Sequence, residues 1–381
     1  MLIFNNNKHV FTLYQRALSL MISKDFADEK SGKISLVEKQ HSEQENSRRE
    51  LLAVEKEAKQ DKIIEQYGKV HFKTQMMSKF FSQLLAKVNN DFDDKDSLYA
   101  NEISIENAAS TILEVLAVKA ASINKITPLM QSLPWLSTEL INLVNKPQYR
   151  TRADVQVTEN HLALSYVGLD NLKLVMPTFM LKHWLPTNTT PYPLLKRKLW
   201  NNALAVGLSA KTLANKYELD EFSAFTAGLF SNIGLIIITR NVLHNFNEMH
   251  KAELKEAYDN RDKRLHDILV EFEMSPELLL EQLIERNTQM SADIVELMRF
   301  DRLTITEPLF DLAIIDDIDK MHPIAQIVVK AQTYVMFRSL LKEELISNDE
   351  AKLLLATVKL TTDDISLLKR SDIDHIKLNF E

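Results

Sequence analysis

The sequence predicts an all-α protein, a multi-helix bundle, on three observations. Apolar residues recur at three- and four-residue spacing along most of the chain. Leu, Ala, Lys and Glu, good helix formers, are abundant. Glycine is scarce, with only 6 in 381 residues, which leaves few sites for tight hairpins. The length fits two or three domains, and a 45% apolar content supplies a sizeable core. The absence of cysteine excludes disulfides, thiolate zinc sites and cysteine nucleophiles. A net charge of −7 argues against nucleic acid and anionic lipid as partners. No apolar stretch is read as reaching the ~18 residues that span a bilayer, so no membrane partner is expected. Arg16 interrupts the apolar N-terminal segment and no small-residue cleavage site follows, unlike a signal peptide. The expected location is the cytoplasm.

Taken in order, Val10, Leu13, Tyr14, Ala17, Leu18 and Met21 mark a short amphipathic helix. Its apolar face suits a membrane surface, a partner or the body of its own chain, and docking on its own chain is the expectation. Residues 38–50 hold no large apolar side chain and read as a solvated helix or a linker. Leu51, Leu52, Val54 and Ala58 resume too sparsely for a coiled coil, which leaves an exposed helical connector. A denser set from Val70 to Val88 predicts a helix packed on the body. The acidic run Asn89–Asp96 lacks the glycine and closing glutamate of a calcium loop, so a solvated turn is expected.

From Ile103 onward helical patterns follow closely. Thr111–Leu116, Ile123–Met130 and Leu136–Val144 come first, the last ending at Pro147. His161–Leu169 and Leu172–Trp184 follow, with Pro177 expected to interrupt or start the second. The Pro- and Thr-rich stretch Leu185–Leu195 reads as a loop. Leu199-Trp200 opens a helix on which Gly207, Ala210 and Ala214 allow another helix to approach closely. Phe222–Val242 is apolar on nearly every side, as expected of one central helix. More charged helices follow at Leu265–Phe272, Pro276–Arg286, Ser291–Met298, 323–345 and 348–358, with Ser347 as a candidate N-cap. There is no internal repeat or low-complexity block.

The run Leu199-Trp200, Leu204-Ala205, Ala224-Phe225 and Gly228-Leu229 through Gly234 resembles the HDOD domain, a bacterial all-helical relative of the HD phosphohydrolases. Upstream, Leu133-Pro134-Trp135-Leu136 through Asn145, then Leu162-Ala163 and Gly168-Leu169, look like earlier pieces of the same pattern. The resemblance covers about residues 98–300 and implies an HD-domain-like core. It divides the chain into an N-terminal helical region with a polar connector (1–97), the domain (98–300) and a C-terminal helical extension (301–381).

In the metal-dependent relatives an adjacent His-Asp pair lies between the two glycines, where this chain has Ser231 and Asn232. A further histidine expected near Asn202 is also missing, and no histidine occurs between His183 and His244. Amide and hydroxyl groups are weak ligands, so neither a metal nor a cofactor nor a catalytic residue is expected. Asn202, Ser231 and Asn232 are candidates for a relic polar pocket, the alternative being that they satisfy each other and nearby backbone. Arg150 and Arg152, with Lys196, Arg197 and Lys198, are a candidate basic contact surface, against the alternative of a solvated face. His244 and His250 are expected at exposed helix ends. Such erosion implies a non-catalytic signalling, regulatory or scaffolding protein acting on protein partners, with homodimerisation through the N-terminal helices as one option. The alternative is a metal-dependent HD-type phosphohydrolase acting on nucleotides through atypical ligands such as His266 and Asp267.

Overall fold

The computed structural model describes residues 2–32, 53–98, 105–149 and 156–378. Among them every regular element is a helix, so the chain is all-α as predicted. The N-terminal segment holds α1 (Leu2–Asn5), α2 (Lys8–Ile22) and α3 (Lys24–Lys30). A long α4 (Ala53–Asp93) and a short α5 (Lys95–Ser97) lead to the middle of the chain. There α6 (Asn107–Ala117), α7 (Ile123–Gln131), α8 (Pro134–Val144), α9 (Asn160–Val167) and α10 (Leu169–Trp184) form the first group. The centre consists of α11 (Leu195–Lys216), α12 (Glu221–Phe230) and α13 (Ile233–Asp259). Next come α14 (Lys263–Val270) and α15 (Pro276–Leu297). Last are α16 (Thr306–Ile314), α17 (Pro323–Lys342), α18 (Asn348–Thr357) and α19 (Thr362–Arg370). The polar connector at 38–50, with Leu51, Leu52, Arg150 and Arg152, lies outside the described residues.

Two glycines set how closely the central helices pack. α11 lies along α12. A methyl group on Gly228 would stand 2.9 Å from Ala210 Cβ and 3.1 Å from Gly207 Cα. The missing Cβ atoms therefore let the two backbones touch. α13 lies along α15, and there Gly234 makes the close approach. α17 covers α11 and α12 from the C-terminal side, while α2 packs on α11, α15, α17 and α18. Val10, Leu13 and Leu18 of α2 are buried, so its apolar face is occupied inside its own chain, as expected. Burying each such side chain stabilises the fold by roughly 1.5–3 kcal/mol.

Several expectations need correction, and the helices expected separately at Pro276–Arg286 and Ser291–Met298 are one, α15. The predicted single helix over Phe222–Val242 is broken at Ser231 and Asn232, between α12 and α13. Side-chain donors compete with the helical ladder there. The Gly228 carbonyl accepts from Ser231 Oγ at 2.7 Å and from Asn232 Nδ2 at 3.0 Å. Taken together, Glu221–Asp259 is long and apolar enough to cross a membrane by length and composition, although its apolar window is 100% buried within the fold. Pro177 neither starts nor stops a helix; α10 runs through it, with the proline buried on the packed face. Asn89–Asp93 is not a solvated turn but the end of α4. There Asp91 accepts hydrogen bonds from Asn241 (2.9 Å) and Asn245 (2.7 Å), and Asn89 from Arg286 (3.0 Å). His244 and His250 sit within α13 rather than at its ends. The His250 ring stacks on Phe246, and its Nε2 lies 2.7 Å from the Leu269 carbonyl.

The predicted cap at Ser347 is present as a capping box. Ser347 Oγ accepts the Glu350 N–H at 3.3 Å, and Glu350 Oε2 accepts the Ser347 N–H at 2.8 Å. Glu350 also pairs with Arg16 of α2 at 3.3 Å, so this cap ties α18 to the N-terminal segment. Ser347→Ala is expected to cost about 1 kcal/mol. In urea titration the midpoint should fall without a change in slope.

Candidate functional site

The turn that breaks the central helix carries the predicted pocket residues. Asn202 projects from α11 and donates through Nδ2 to Asn232 Oδ1 at 2.8 Å. Asn232 Nδ2 in turn donates to the Gly228 carbonyl. Ser231 Oγ donates to the same carbonyl and accepts from Gln332 Nε2 of α17 at 2.9 Å. Ser231 and Asn232 are buried, and Asn202 is half-buried. The three residues are therefore brought together, and the alternative in which they satisfy one another accounts for most of their hydrogen-bonding groups.

A second polar layer lies behind them. Ser291 Oγ of α15 reaches the Ser231 carbonyl (3.0 Å) and the Asn287 carbonyl (2.9 Å), and it accepts the Gly234 N–H (2.8 Å). Asn287 Nδ2 donates to Tyr14 Oη of α2 at 2.7 Å. Burial pushes the Tyr14 hydroxyl up to about 12, so it stays neutral. Sequence reasoning missed Gln332, Ser291, Asn287 and Tyr14. None of the four stands out in the sequence; Gln332 sits between Lys330 and Thr333 in a mixed helical run.

Asn202, Ser231, Asn232, Gln332, Asn287 and Tyr14 line an open cleft of about 1240 Å³ between α2, α3, the start of α11, and α17. Arg197 and Lys198 of the predicted basic surface line it; Lys196 is exposed outside it. Lys198 is half-buried and donates to the Leu20 carbonyl at 2.6 Å. Burial holds its ammonium below the ordinary lysine range. His266 and Asp267 lie elsewhere, on α14, with side chains 39% and 65% exposed. Their ring nitrogen and carboxylate are 3.8 Å apart.

The cluster of Asn202, Ser231 and Asn232 does not fit a divalent ion. Its donors are two amides and a hydroxyl, and the Asn232 oxygen already accepts the Asn202 amide. Among the described residues no group of three or more His, Cys, Asp or Glu side chains could hold a metal. The glycine frame persists for packing reasons, since Gly228 and Gly234 each sit where a Cβ would collide.

An all-helical domain with this glycine-framed turn at its centre is the class of protein these features define. Residues 103–275 match the model of the HDOD domain, so the chain carries that domain over this segment. No curated protein matches the chain. Two solved structures from Shewanella amazonensis SB2B are similar to it. One, named as a candidate metal-dependent phosphohydrolase, is 16% identical over 78% of this chain and 95% of its own, with a TM-score of 0.44. The other, named as a candidate phosphohydrolase, is 15% identical over 72% and 93%, with a TM-score of 0.45.

Proposed function

We propose that this protein is a non-catalytic, cytoplasmic regulator or scaffold of the HDOD type that acts by binding protein partners. The observation that carries the reading is the Asn202–Asn232 hydrogen bond of 2.8 Å, which engages the Asn232 oxygen within the turn itself. Neither group ionises near neutral pH, so the turn offers no base, no nucleophile and no metal-bound water. What remains is a helical body with an open cleft, and its activity is contact. Self-association through the N-terminal helices belongs to the same reading, on faces other than the buried stripe of α2.

The test is metal content and turnover. Full-length protein purified without chelators should carry no stoichiometric divalent metal and should not hydrolyse p-nitrophenyl phosphate or its diester. Stoichiometric metal together with turnover that disappears in His266→Ala would replace this reading with the phosphohydrolase one.

A further inference from the structure

We propose that the cleft over Asn202 and Ser231 is a regulatory binding site for a small organic oxyanion, a phosphate ester or a carboxylate. The charged end meets Arg197 and Lys198, and the uncharged end meets the amide lining. This deepens the regulatory reading and rests on it, because the cleft is taken as binding without reacting.

Size comes first. A volume of about 1240 Å³ exceeds the roughly 300–1,000 Å³ typical of ligand pockets, so a metabolite with its bound water fits.

Charge comes second. Five Lys and Arg side chains and four carboxylates line the cleft, but two of the carboxylates are engaged across its rim. Glu343 accepts from Lys24 at 2.7 Å, and Asp374 accepts from Arg338 at 2.7 and 2.9 Å. Asp25 and Glu273 also line the wall. Among the described residues no carboxylate pairs with Arg197 or Lys198. The ammonium of Lys198 is half withdrawn from water and donates to one carbonyl, while Glu343 and Asp25 act on it only through space, without a salt bridge. α11 also begins there without an acidic residue in its first turn and without a side-chain cap, so the helix dipole adds to the positive field. An oxyanion in the cleft would lie in the positive field of these groups and could accept charge-assisted hydrogen bonds from them.

The cleft lining supplies an independent observation. Gln332 donates its Nε2 to Ser231, while its Oε1 is buried and accepts no hydrogen bond. Gln332 itself lines the cleft, so rotation of its side chain would offer this unpaired carbonyl oxygen to a ligand hydroxyl or amino group. α2, α3 and α17 form walls of this cleft and lie outside the matched 103–275 segment. A ligand there bridges the domain to both ends of the chain and stabilises that arrangement.

Thermal unfolding of the full-length protein in phenyl phosphate, in benzoate, and in sodium chloride of equal ionic strength tests this. At least one of the two oxyanions should raise the midpoint by several degrees at millimolar concentration, and which one identifies the charged group. Arg197→Gln should weaken the apparent affinity about tenfold, the loss expected for one charge-assisted hydrogen bond. Lys196→Gln removes the same charge outside the cleft and should leave affinity unchanged. The proposal is overturned if neither oxyanion exceeds chloride, if Arg197→Gln binds like wild type, or if Lys196→Gln loses as much. Hydrolysis of phenyl phosphate at the site would instead sink the non-catalytic reading while leaving the binding site standing.

Discussion

Gly234→Ala is expected to cost about 3 kcal/mol or more, a large share of the roughly 5–15 kcal/mol that holds a typical domain folded. A Cβ at this position would fall 1.9 Å from the Asn287 carbonyl oxygen and 2.8 Å from its carbon. Both are backbone atoms of α15, so no side chain can rotate away to make room. α13 would have to withdraw from α15, and that breaks the 2.8 Å hydrogen bond from the Gly234 N–H to Ser291. It also loosens the turn that holds Ser231, because Ser291 bonds that residue's carbonyl as well. Gly228→Ala meets its neighbours at 2.9–3.1 Å and should cost less, about 1–3 kcal/mol. Urea unfolding of the two variants beside wild type ranks them. A Gly234→Ala protein within 1 kcal/mol of wild type would mean that the helices do not approach this closely.

That clash explains why the glycine frame was legible in the sequence while its meaning was only half legible. The spacing Gly228 to Gly234 and the uncharged residues between them could be read directly, because a motif is local. The break in the helix could not, since Phe222–Val242 is apolar on every side and periodicity alone favours continuity. What breaks it is Ser231 and Asn232 bonding back to Gly228. The rest of the network is nonlocal. Tyr14 and Asn287 are 273 positions apart, and Gln332 is 101 from Ser231. No single sequence pairs such residues without the fold. Pro177 follows the same logic: a proline inside a helix is costly in isolation, but the burial of α10 around it outweighs that cost. The basic surface was legible as charge but not as geometry, for Arg197 and Lys198 enter the cleft and Lys196 does not.

Asp364→Asn is expected to lower stability by about 3 kcal/mol and to flatten the dependence of stability on acid. The Asp364 side chain is 0% exposed and accepts from Lys216 at 2.6 Å and from Tyr217 Oη at 2.9 Å. It also caps α19, accepting the Thr361 N–H at 3.0 Å. Lys330, with a side chain only 12% exposed, stands 4.0 Å away. Burial alone would raise the pKa of Asp364. The Lys216 ammonium and the Thr361 and Tyr217 donors outweigh it and hold the carboxyl below its ordinary range. A depressed carboxylate contributes stability that is present above its unfolded pKa and lost as pH falls through the lower folded one. Wild type should therefore lose this share only in acid, below the ordinary carboxylate range, and the Asn variant should lack that share of the slope. At neutral pH the variant leaves Lys330 buried without a counter-charge beside Lys216, which is where most of the cost arises. Adding Lys330→Met to Asp364→Asn should recover part of the loss, since the stranded cation is then gone. Urea midpoints of wild type, single and double variants from neutral pH into acid decide it. Parallel curves for wild type and Asp364→Asn would show that the carboxylate does not hold α19 to the body.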